Sequence, residues 1–155
     1  MAIKITLFIT MILYAIVISQ SLFYLLAMTD VLKKMQPATY IESRKLIDKN
    51  LRGSLASVYY LALAASFLLT AFCVTNPSGM LFICAVIASV SLIIDVTLSL
   101  KGNVPINNII NSWSTSDYPA DWNQYRFKWF TIYHARQAVN IIGFISLLTG
   151  LIFGM

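Results

Sequence analysis

Charge is what this chain most lacks. Only 11% of its residues are charged, against roughly 25% in an ordinary soluble domain, while 59% are apolar. A surface of that composition does not stay in water, which excludes a soluble globular protein. Intrinsic disorder is excluded on the same ground, because the chain is too apolar. With a single histidine, His134, and 2 cysteines, Cys73 and Cys84, there is neither a disulfide scaffold nor a metal-ligand cluster. No C-x-x-C, G-x-S-x-G, P-loop or H-E-x-x-H pattern occurs, so the usual redox-pair, hydrolase, NTPase and zinc-protease readings fall away. Internal repeats and low-complexity tracts are also missing. A small membrane protein remains, and 155 residues suit a single membrane domain covering residues 1–155.

What is present is a set of long apolar runs. No charged residue stands between Lys4 and Asp30, or between Arg52 and Asp95. The second gap is divided by Asn76-Pro77-Ser78-Gly79, a strong turn signal. A spanning helix needs about 20 apolar residues, since each residue advances it by about 1.5 Å. Backbone groups in lipid must bond internally, so such runs are helices. The expected fold is all-α, a four-transmembrane-helix bundle with spans at about 5–29, 53–75, 80–100 and 129–153. A long structured loop, rich in Asn, Trp, Pro and Asp, is expected between the last two. The first run exceeds a signal-peptide core, and Ala27-Met28-Thr29-Asp30 is a poor cleavage site, so it reads as an uncleaved span.

Basic residues set the expected orientation. Lys33, Lys34, Arg44, Lys45, Lys49 and Arg52 lie in the first connection, and Lys101, Arg126 and Lys128 in the third, against Lys4 alone on the other side. The positive-inside rule places both of those connections in the cytoplasm and both termini outside. The expected location is a bacterial inner membrane. The net charge of +5 is then a topology signal and, at most, a contact for membrane lipid; no nucleic-acid patch is present. Cys73 and Cys84 flank the outer turn as two buried thiols, or as a disulfide if the hairpin geometry permits.

Ionisable groups inside spans mark functional sites by default. Asp95 and Arg136 lie at similar depth below the third connection, so a pair is expected. Trp129, Tyr133, Arg136 and Asn140 form one helical stripe with Gln137 beside it, and His134 lies about 100° from Tyr133 on the flank. Cys84, Ala88, Ser91, Asp95, Ser99 and Gly102 form a facing stripe of small and polar residues. Ser19, Gln20, Ser21 and Tyr24 add polar groups from the first span. Together they outline a pocket at the cytoplasmic side, open toward the third connection, for a lipophilic molecule. The alternative is a structural ion pair that only locks the bundle, or an Arg136 that snorkels to the interface.

The segment Asn103-Val104-Pro105-Ile106-Asn107-Asn108 resembles the N-x-P-x-N signature of the DUF1772, or anthrone oxygenase-like, integral membrane family. Trp122, Arg126 and Trp129 followed by His134 and Arg136 resemble that family's W…R…W…H-x-R ending. The resemblance implies a site built from Asn103, Asn107, Trp129, His134 and Arg136. It implies oxidation of a lipophilic aromatic or quinone-like molecule by dioxygen without an organic cofactor or metal. His134 would take a proton from an acidic methylene, and Arg136 with the two amides would stabilise the enolate oxygen. Asp95, Tyr133, Asn140, Trp122 and Gln20 are the expected pocket residues around it. A non-catalytic lipophile-binding or scaffold protein with a structural ion pair is the competing expectation.

Overall fold

The computed structural model describes residues 1–154. Four long helices carry the chain, and no strand occurs among the described residues: α1 Ala2–Lys34, α2 Pro37–Cys73, α3 Met80–Ser112 and α4 Trp122–Phe153. All four are long and apolar enough to cross a membrane. Each helix packs on its chain neighbour, and α1 closes the ring against α4. The bundle is therefore an up-down-up-down arrangement of the kind short connections favour.

The helices outrun the spans expected for them. At about 1.5 Å per residue, the 37 residues of α2 reach roughly 55 Å, well beyond about 30 Å of hydrocarbon. The excess lies at one end, where Asp30, Lys33, Lys34, Glu42, Lys49 and Arg52 are exposed. We call this the basic end; the termini and the 74–79 turn form the other. The first connection shrinks to Met35 and Gln36. Pro37 sets the break: it holds Gln36 extended (ψ 155°) and then opens α2, where its missing N–H is harmless. The 101–128 stretch is largely helical as well, and only residues 113–121 join α3 to α4.

Two wide π turns interrupt the helices, Tyr24–Met28 in α1 and Ser99–Asn103 in α3. The second has a local cause. Pro105 stands inside α3, where its ring would strike the carbonyl four residues back and no N–H can bond it. A wider turn just before it relieves that clash. In the first, the Thr29 hydroxyl donates to the Tyr24 carbonyl at 2.8 Å.

Membrane helices pack closely only where their facing residues are small. Cys84, Ala85, Ala88, Ser91 and Asp95 of α3 are buried against Arg136, Asn140, Gly143, Leu147 and Gly150 of α4. A Cβ on Gly150 would lie 2.9 Å from the Cys84 Cβ, and one on Gly143 would overlap the Tyr14 hydroxyl. Cys73 and Cys84 are both free thiols, buried as expected. Outward faces carry Phe8, Ile12, Phe67, Ile83, Ile94 and Ile145, all exposed, as a lipid-facing surface requires. On α2, Ser57 and Ala64 also face outward, so only part of its small-residue set is used for packing.

The glycines offer a direct check. Gly143→Ala is expected to destabilise the bundle by about 1–3 kcal/mol through overpacking. Gly53, with nothing within 4 Å of an added Cβ, should be neutral or gain up to about 1 kcal/mol as Ala. Unfolding midpoints of the two variants in the same detergent test this contrast.

Candidate functional site

Arg136 sits on the inner face of α4 and is 8% exposed. A guanidinium so placed needs acceptors, and three side chains supply them. Nε donates to Asp95 Oδ1 at 2.5 Å, Nη1 to Asn103 Oδ1 at 3.1 Å, and Nη2 reaches the Tyr59 hydroxyl at 3.5 Å. The expected Asp95–Arg136 pair is thus formed, with Asp95 fully buried. Asn103 turns its amide to the Trp129 carbonyl at 3.0 Å, and Asn140 donates to the Tyr59 hydroxyl at 3.4 Å. Gln137 ties the same helix to α1 through the Ser21 carbonyl at 2.8 Å.

One helical turn toward the basic end lies a second network. Asn107 is its hub. Its Oδ1 accepts from Trp129 Nε1 at 2.8 Å and from Arg44 Nη2 at 3.0 Å, while its Nδ2 donates to Asp48 at 2.9 Å. Asp48 also accepts from Asn111 at 2.8 Å and from Arg52 at 2.7 Å. The Arg44 guanidinium lies over Trp129, with Cζ 4.1 Å from the ring centroid, and Tyr133 stacks on Trp129 at 4.7 Å and 14°.

Between the two networks is a cavity of about 280 Å³, bounded by all four helices. Gln20 and Tyr24 come from α1, and Arg44, Asp48, Arg52, Leu55 and Tyr59 from α2. Asn103 and Asn107 come from α3, and Trp129, Tyr133 and Arg136 from α4. Asp95 and Asn140 lie behind this wall, bonded to its members. Six of the expected site residues thus line one cavity: Gln20, Asn103, Asn107, Trp129, Tyr133 and Arg136.

Two expected residues are elsewhere. His134 does not line the cavity; it borders a separate surface groove with Lys33, Arg126, Phe127 and Phe130. Its position two residues from Arg136 turns it to another side of α4, so the expected catalytic pair is not brought together. Trp122 packs with Tyr40 and Tyr118 and carries the Arg126 guanidinium 4.4 Å from its ring centroid. Arg126 in turn donates to the Leu32 and Met35 carbonyls, and Lys45 to the Trp113 carbonyl, so both act as C-caps.

Sequence reasoning missed Arg44, Asp48 and Arg52 as site residues. The signal was there: they recur at i, i+4 and i+8, with Leu51, Leu55 and Tyr59 following on the same side of one helix. No cluster of three or more His, Cys, Asp or Glu able to hold a metal occurs among the described residues. Comparisons with protein-family models, curated proteins and solved structures return no match.

The ion pair yields a sharp expectation. Asp95→Leu or Arg136→Met by itself leaves the partner's buried charge without its counter-ion and should cost about 3–5 kcal/mol. The double change Asp95→Leu with Arg136→Met should regain much of that loss. A double-mutant cycle on unfolding free energies measures it; additive losses would mean the two groups are not coupled.

Proposed function

We propose that this chain is a multi-pass protein of a bacterial inner membrane that binds a lipophilic aromatic or quinone-like small molecule in the cavity between its four helices. The observation that carries this reading is the mixed lining: stacked aromatic rings and leucines beside a few converging polar groups, the composition of small-molecule sites. The positive-inside rule puts the basic end in the cytoplasm and both termini outside.

Catalysis is the second reading, and one observation favours it. Asn103, Asn107, Trp129 and Arg136, four of the five residues named by the anthrone oxygenase-like resemblance, line the same cavity. An enolate oxygen held there would meet amide and guanidinium donors, and dioxygen would add to the enolate carbon before water leaves. The proton acceptor is the weak point. His134 lies outside the cavity, and Asp48, the carboxylate on its wall, already accepts from Asn107, Asn111 and Arg52. Arg136 is likewise engaged at all three of its nitrogens, by Asp95, Asn103 and Tyr59. Binding therefore ranks above turnover.

In lipid nanodiscs, anthrone is expected to bind the wild-type protein saturably and Leu55→Trp at least tenfold more weakly, because the larger ring fills the cavity. Oxygen uptake that is lost in Leu55→Trp and retained in His134→Ala would promote the catalytic reading. Absence of saturable binding would overturn both. Orientation is tested with single cysteines in a background carrying Cys73→Ala and Cys84→Ala. An impermeant maleimide should label Asn76→Cys on intact cells, and Asn50→Cys only after permeabilisation; the reverse pattern would invert the topology.

A further inference from the structure

Three guanidinium groups reach the cavity, and two have carboxylates. Arg136 is paired with Asp95 and Arg52 with Asp48. Arg44 belongs to neither ion pair, although it is only 4% exposed. Its Nη2 bonds a neutral amide, Asn107, which already accepts from Trp129. Its Nε is buried with no partner. The Trp129 face beneath it offsets part of the charge but supplies no acceptor for these donors. A buried cation left this way is costly, and an anion in the cavity removes the cost.

The cavity also has a side opening. A crevice of about 70 Å³ between α2 and α3 shares Ala56, Tyr59, Ser99, Leu100 and Arg136 with it. Tyr60 and Val96 complete the crevice, and Tyr60 and Leu100 are exposed on the outer face of the bundle. Ala56, the small residue of α2 that lines both cavity and crevice, leaves this seam open. The opening meets the outer surface close to the expected ends of spans two and three, at the level where a bilayer changes from headgroup to hydrocarbon.

From the unpaired Arg44 and this opening together we infer that the cavity takes an anionic amphiphile. Its single acidic group lies on Arg44, and its ring or chain leaves between α2 and α3 into the bilayer. The inference rests on the cavity being a small-molecule site, and it names the charge and the route.

The test uses the full chain in phosphatidylcholine nanodiscs, with an anthracene carboxylate and its uncharged methyl ester as probes. The carboxylate is expected to bind wild type at least tenfold more tightly than the ester, and the difference should vanish in Arg44→Gln. Equal binding of both probes to wild type would overturn the anion while leaving the cavity reading intact. Absence of binding by either probe would overturn both. The wild-type comparison stands even if Arg44→Gln fails to fold. Ala56→Trp should slow association of both probes at least tenfold; an unchanged rate would overturn the lateral route. Adding phosphatidylglycerol distinguishes the sources of the acid. Displacement of the carboxylate supports a membrane lipid as the anion, and lack of displacement supports a free acid.

Discussion

A guanidinium carried into the core of a membrane bundle has to find acceptors there, and Arg136 draws the other helices around itself to do so. Its partners are Asp95 and Asn103 on α3 and Tyr59 on α2. Gln137, the next residue, holds the Ser21 carbonyl of α1. One turn of α4 thus bonds to every other helix. In lipid there is little hydrophobic force between helices, so such bonds and close packing set the arrangement. Close packing is supplied by Gly143 and Gly150, which let α3 approach near enough for Asp95 to reach the guanidinium. Mutating either the glycines or the charges disturbs the same contact, because each is the condition of the other.

The cavity follows from a second constraint, the mismatch between helix length and bilayer thickness. Beyond the hydrocarbon the helices continue with polar inner faces, and both wide turns fall at the cavity's edge. Tyr24 opens one and Asn103 closes the other, and both residues line the cavity. A wide turn takes in an extra residue and rotates the helix beyond it. In α3 that turn carries Asn103 to Arg136, and the helix beyond it places Asn107 beside Arg44 and Asp48. Pro105, which ordinarily ends a helix, here produces the bend on which two of the asparagines depend.

Much of the bundle was legible in the residues, because its determinants are local. Charge-free runs mark the spans, and a period of 3.6 residues places Trp129, Tyr133, Arg136 and Asn140 on one face, where all four are buried. Shared depth brought Asp95 and Arg136 together, since both spans enter the bilayer from the same side. The helical extensions were not legible in the same way. Charges after a span read as the start of a loop, with Pro37 to Lys49 at most a separate surface helix, although Arg44, Asp48 and Arg52 are spaced for one helical face. The basic residues counted toward topology turn out to hold other work too: Arg126 and Lys45 cap helices, and Arg44 and Arg52 line the cavity. His134 shows the limit of motif reasoning. Adjacency to Arg136 in sequence places it on another side of the helix, against Phe130 and near Lys33.

The three cavity arginines separate structure from recognition by the partners they keep. Arg136 spends its donors on two helices, so its removal is expected first of all to destabilise the bundle. Arg52 is half exposed and tied to Asp48 within its own helix, a pair worth little to stability. Arg44 is as buried as Arg136 and has no carboxylate; what engages it is the neutral Asn107 amide and the face of Trp129. On the proposed reading, an anion in the cavity offsets the cost of holding that cation. The same reasoning sets the order of the functional readings: Arg44 keeps an unpartnered Nε, while Asp48, the carboxylate on the cavity wall, already accepts from Asn107, Asn111 and Arg52.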